Sequence, residues 1–187
     1  GPKAYLAPGL GISGGNLERD LATVCRLGQA NDSDTRVIDS FRGLSAYAKD
    51  WTWRILEDCV LNDVESLRIA VLGLAYKENT HSTKNSPALV LLDHLKSHEV
   101  SVFDPVVPAG AAPQASGAES ALAACEGADV TVIATPWPEF GELDPKALAA
   151  TMNGATVVDP YTMLDGAQVT TAGLTHHTLG RPARAAG

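Results

Sequence analysis

The chain is poor in aromatic residues and positive charge, and it has no long apolar run. Only 5% of its 187 residues are Phe, Trp or Tyr, and 14 Lys and Arg face 22 Asp and Glu, for a formal net charge of −8. That balance argues against a nucleic-acid surface, which needs a basic stripe, so no nucleic-acid partner is expected. It still allows a nucleotide ligand, whose phosphates need only a few local donors. No apolar run reaches the roughly 18 residues of a membrane span, and the first residues lack the basic-then-apolar order of a signal peptide; the expected setting is cytoplasmic, with no membrane partner. Cys25, Cys59 and Cys125 are odd in number, far apart and in apolar surroundings. They read as reduced core residues of a cytosolic protein. His94 and His98 stand one helical turn apart and His176 adjoins His177, but no third ligand is placed near either pair, so no metal site is expected. Trp51, Trp53 and Trp137 read as packing residues.

What is present divides by period. Residues 1–16 are a loop rich in Gly and Pro, and residues 17–27 suggest a short helix ending at Gly28. Asn31-Asp32-Ser33-Asp34 is a dense helix-start signal, because short polar side chains accept from the unpaired amides of a first turn. A single helix is then predicted over about 34–62, roughly 40 Å long at 1.5 Å per residue. Its apolar residues Val37, Phe41, Leu44, Ala48, Trp51, Ile55 and Cys59 recur in steps of four and three. Ile38, Trp53, Leu56 and Val60 widen the stripe beyond what one buried side needs. From Leu67 the pattern becomes short β-branched runs at 67–72, 100–103, 129–134 and 155–158, with helices at about 86–97, 117–126 and 145–152. That alternation predicts a parallel sheet with helices on its faces, whose ligands sit at the carboxyl ends of the strands. Segment 106–118 reads as a surface loop and 182–187 as a frayed tail. The expected fold class is α/β, a helical segment (1–66) followed by a Rossmann-like parallel-sheet domain (67–187).

Gly11-Ile12-Ser13-Gly14-Gly15-Asn16-Leu17-Glu18-Arg19-Asp20 carries the most specific signal. It resembles the catalytic loop of the UDP-glucose/GDP-mannose dehydrogenase family, whose pattern is close to G-x-G-G-S-C-[FL]-P-K-D. Gly11, Gly14 and Asp20 match, Leu17 and Arg19 are conservative, and Ser13, Gly15 and Glu18 depart. Asn16 stands where the family has its cysteine. Tyr5-Leu6-Ala7-Pro8-Gly9 resembles the segment leading into that loop. Val71-Leu72-Gly73-Leu74-Ala75-Tyr76-Lys77-Glu78-Asn79-Thr80 with Ser86-Pro87 resembles the opening of the family's C-terminal domain, Val102-Phe103-Asp104-Pro105 the end of its second strand, and Val158-Asp159-Pro160 with Leu179-Gly180-Arg181 its close. The motifs fall in the family's order over roughly residues 3–181. No β-rich run is followed by G-x-G-x-x-G, the fingerprint of a dinucleotide-binding domain. The resemblance therefore implies the C-terminal half of a longer polypeptide, with the NAD-binding domain absent.

The resemblance implies a homodimer through the helix at about 34–62 and a nucleotide-sugar ligand. It also implies NAD as cofactor, held by the missing domain. Tyr5, Leu6, Gly11, Ser13, Gly14, Gly15 and Lys77 take substrate-binding positions, the loop backbone offering amides to phosphate. Lys84 falls where the family has an arginine directed to the cofactor or the neighbouring domain, and Tyr161 near a position where many relatives carry a substrate arginine. Asn16 and Asp20 take the catalytic positions. In the family a thiolate captures the aldehyde formed by the first oxidation, so that a second hydride can leave. An amide nitrogen has its lone pair delocalised and cannot do this, although it can hydrogen-bond an alcohol or aldehyde oxygen. Three readings stay open: a divergent nucleotide-sugar 6-dehydrogenase, a single-oxidation or epimerase-type enzyme, and a non-catalytic binding or assembly subunit.

Overall fold

The β-branched runs form the sheet that their pattern predicts. The computed structural model describes residues 8–61 and 66–185. Strands β1 (Arg68–Leu72), β2 (Glu99–Phe103), β3 (Ser116–Gly117), β4 (Val130–Ile133), β5 (Thr156–Val158) and β6 (Thr175–His177) form one six-stranded sheet in the order β3-β2-β1-β4-β5-β6. Every pairing is parallel, with Val71 opposite Val102 on one side and Val132 on the other. All of β4 and all of β1 beyond Arg68 are buried, as expected for central strands covered on both faces. Leu91, Leu92, Leu95, Phe140 and Leu148 close over Ile69, Leu72, Val102, Ile133 and Val157 to make the core.

The helices that follow the strands start on short polar caps. Ser86 accepts from Ala88 N ahead of α4 (Pro87–His94), and Ser120 from Ala123 N ahead of α5 (Ala121–Ala124). Asp144 and Asp165 do the same for α6 (Pro145–Thr151) and α7 (Gly166–Thr171). Each satisfies an orphan first-turn amide. The helix expected over 117–126 is thus only the single turn of α5. The loop expected over 106–118 contains a 3₁₀ turn at Ala109–Ala111 and the edge strand β3. The expected frayed tail is held to residue 184: His176 and Arg184 exchange both backbone hydrogen bonds, at 2.9 and 3.0 Å.

The N-terminal helices depart further from expectation. Helix α1 runs Asn16–Ala30, so Gly28 lies within it. Gly28 is small because a Cβ there would stand 2.2 Å from the Thr35 methyl, where the chain doubles back. Of the four polar residues at 31–34, Asp34 serves the next helix, its carboxylate accepting from Arg36 N at 3.0 Å. The predicted continuous helix is broken: α2 spans Arg36–Lys49, Asp50 leaves helical geometry, α3 spans Trp51–Leu56, and a π turn follows over Glu57–Leu61. The break divides the apolar stripe. Trp51, Trp53 and Ile55 pack on the sheet-domain core, whereas α2 has no buried residue. Val37, Phe41 and Leu44, which share one face of α2, and Leu17, Val24 and Leu27 on α1 are all exposed. Cys25 and Cys125 are buried, but Cys59 is exposed on the π turn, contrary to its reading as a core residue.

Candidate functional site

The glycine loop is held between α2 and the segment after β1. Gly11 (φ 75°) lies so close to α2 that a Cβ would stand 2.4 Å from Ser45 O, and Ile12 N donates to Ser45 Oγ at 2.7 Å. On the other side Ser13 Oγ donates to Tyr76 O at 3.1 Å and Gly14 N to Lys84 O at 3.0 Å. At Gly14 (φ 75°) a Cβ would stand 2.9 Å from the Tyr76 ring, and at Gly15 one would meet the end of the Lys84 side chain at 2.6–2.7 Å. Two loop amides expected to be free for phosphate, those of Ile12 and Gly14, are therefore already engaged. Among the described residues, the amides of Ser13, Gly15 and the first turn of α1 remain open, at the positive end of a 15-residue helix.

Asn85 (φ 55°) is a site residue that sequence reasoning missed. Its carbonyl accepts from Lys49 Nζ, and its amide donates to Ile12 O and to Glu18 Oε2. One side chain thus joins the loop, α1 and α2 to the sheet domain. Burial pulls the Lys49 ammonium below its ordinary pKa against the opposing charges of Glu18 and Asp50. The available signal was Asn-Ser-Pro, a turn-forming residue directly ahead of a capped helix.

The strand order is that of dinucleotide-binding sheets, in which the turn after β1 offers its amides to a pyrophosphate. Here that turn is taken. Asp104, at the end of β2, accepts from Leu74 N and Ala75 N at 2.7 and 2.9 Å, from Val106 N and Val107 N, and from Trp137 Nε1. Burial pushes its carboxyl up, but the four backbone donors outweigh burial and hold it below the ordinary carboxylate range. A cofactor pyrophosphate would therefore not find those amides.

The predicted site residues do not all come together. Gly11, Ser13, Gly14, Gly15 and Lys84 come together around the first turn of α1. Asn16 is its first helical residue, exposed, with no side-chain hydrogen bond among the described residues. Lys77 is exposed beside them, its Nζ 5.8 Å from the Tyr76 ring centroid. Asp20 shares the Asn16 face one turn on, but its carboxylate meets Arg19 at 3.2 Å in solvent; such exposed pairs hold a group weakly. Tyr5 and Leu6 lie outside the described residues. Tyr161, expected near a substrate position, packs its ring towards Gly9 and directs its hydroxyl to Ala134 O at 3.5 Å. Burial, with Glu78 and Asp159, pushes its phenol well above the ordinary value, so it is neutral.

The histidines considered as metal ligands are dispersed. His94 stacks on Trp53 at 4.8 Å and faces Asp50, His98 Nδ1 accepts from Leu67 N, and His176 Nε2 meets the buried Asp159 at 3.2 Å.

The sequence profile of the UDP-glucose/GDP-mannose dehydrogenase family, UDP binding domain, matches residues 70–166. The chain belongs to this family. The UDP-glucose 6-dehydrogenase of Pseudomonas aeruginosa is 28% identical over 189 residues, covering 95% of this chain and 42% of the relative. The UDP-N-acetyl-D-mannosamine dehydrogenase of Pyrococcus horikoshii is 31% identical over 156 residues, covering 81% of this chain and 35% of the relative. A solved structure of UDP-D-ManNAc dehydrogenase from Pyrococcus horikoshii superposes with a TM-score of 0.77 at 28% identity, over 96% of this chain and 42% of that one. This family member thus spans less than half the length of these relatives. Among its described residues no helix is long and apolar enough to cross a membrane.

Proposed function

We propose that this chain is the nucleotide-sugar-binding half of an NAD-dependent dehydrogenase-like protein, with the division near residue 66, in which Asn16 takes the place of the covalent nucleophile. The observation that carries this reading is the packing of the glycine loop and first turn of α1 against Tyr76 and Lys84, inside the segment matched by the UDP binding domain. Open amides at the positive end of α1 and the Lys77 ammonium suit the phosphates of a nucleotide sugar. NAD, held by a separate domain, would supply the hydride acceptor. Lys84, exposed at the rim of the loop, is the group of this chain that would reach towards it.

Asn16 can orient an alcohol or aldehyde oxygen but cannot capture the aldehyde, so the reading favours a single oxidation. The test uses the complete parent protein with NAD and a panel of UDP- and GDP-sugars, with products identified by mass spectrometry. The native protein should form at most one NADH per sugar, and Asn16→Cys should restore a second. A native yield of two, with a uronate as product, would defeat this account of the loop.

The exposed apolar side chains of α1 and α2 also support a dimer through this region, in line with the helix pairing that the family resemblance implies. Trp51 packs on the chain's own core, so Phe41, which is 51% exposed, is the better probe. Phe41→Glu should convert a dimer of 19.5 kDa chains to monomer in sedimentation, with the fold intact by circular dichroism. A monomeric unmutated chain at tens of micromolar would refute the pairing.

A further inference from the structure

Helix α3 and the π turn after it place Trp51, Ile55 and Cys59 at four-residue spacing, and so on one face. That face looks onto the end of β6 across a hollow of about 430 Å³, lined by these three residues together with His177, Thr178 and Arg181. The size falls within the range of small-molecule sites, and the hollow shares no residue with the glycine-loop site.

Strand alternation explains how polar groups come to line it. His176 turns to one side of the sheet to meet Asp159, so His177 faces the other. His177 and Thr178 are only 8% and 7% exposed, yet neither side chain makes a hydrogen bond to the described residues. The described side-chain polar atoms that are sealed off without a partner belong to Thr52 and Asp159, so those of His177 and Thr178 open into the hollow, where a ligand can meet them. Burial, helped by the charge of His176, holds His177 below its ordinary pKa. It is therefore a neutral imidazole with one donor and one acceptor to offer. Arg181 is exposed at the rim, where a guanidinium binds phosphate or carboxylate oxygens through its fork of donors. Trp51 and Ile55 supply an apolar wall that a flat ring can cover.

We propose that this hollow is a second ligand site, taking a small molecule with an aromatic ring and an anionic group. The ring lies on Trp51 and Ile55, and the anion is held by Arg181 and Thr178.

Cys59 provides the readout, because it is the exposed thiol on the wall while Cys25 and Cys125 are buried. Alkylation of the intact chain by iodoacetamide is followed at Cys59 by mass spectrometry, with phenyl phosphate as the probe. At several times its dissociation constant the probe should slow Cys59 alkylation about fivefold or more, while inorganic phosphate or phenol alone should change the rate less than about twofold. Arg181→Ala, at an exposed position, and Thr178→Val should each remove most of the protection. An unchanged rate with phenyl phosphate, equal protection by inorganic phosphate or phenol, or protection that survives both substitutions would overturn the proposal.

Discussion

Asp104→Asn should cost about 3–5 kcal/mol of unfolding free energy, seen as a lower urea midpoint and a melting temperature lower by about 10 °C. The carboxylate is 9% exposed and accepts five hydrogen bonds, three on Oδ2 and two on Oδ1. An amide turned either way points its NH₂ at two or three of those donors, leaving buried N–H groups unpaired. The folded carboxyl sits below its unfolded pKa of about 4. Its contribution is therefore complete above about pH 4 and is lost as the pH falls through the folded value. Stability of the unmutated chain should fall along that acid limb, and Asp104→Asn should flatten it. An equal slope in both proteins would place the acid sensitivity elsewhere. Leu74 and Ala75 lead directly into Tyr76 and Lys77, so the substitution also loosens the wall against which the glycine loop is set.

Gly73→Ala should be about as damaging, at roughly 3 kcal/mol or more. Gly73 follows β1 with φ 101°, and a Cβ there would stand 2.4 Å from Thr135 Cβ and 2.7 Å from its backbone nitrogen. Relief would require β1 and β4 to part where Thr135 N donates to Leu72 O at 3.3 Å and Thr135 Oγ1 to Ala75 O at 2.7 Å. Gly43→Ala is the control. Gly43 lies within α2, and a Cβ there meets nothing within 4 Å, so the change should be neutral or stabilising by about 0.5–1 kcal/mol. Equal losses for the two variants in urea unfolding would refute the steric argument.

The sheet was legible where side chains carried it. Residues 67–72, 100–103, 129–134 and 155–158 showed their strands because covered parallel strands are nearly continuous apolar runs. Strand β3 is Ser116–Gly117, two small exposed residues, and has no such signature. Strand β6 is Thr175-His176-His177, too polar to show as an apolar run, and nothing local shows that His176 meets Asp159, 17 residues earlier. Helix α7 has Val169 as its one buried residue, too little for a period. The break at Asp50 has no proline or glycine to announce it. At the site, motif residues identified the loop, but its support did not show: Ser45 O and Lys84 O are backbone atoms, and Asn85 acts 67 and 73 residues away along the chain.

Helices α1 and α2 have between them a single buried side chain, Cys25, whereas the sheet closes on a core contributed by nearly every strand and helix of 66–177. During synthesis the hairpin emerges before the sheet and has little of that core to condense upon until the sheet exists. Its order should therefore follow that of the sheet, and anything that bound its exposed side chains would raise its persistence by mass action. The glycine loop hangs between these two parts, so whatever holds the hairpin against the sheet domain also holds the site's donors in place.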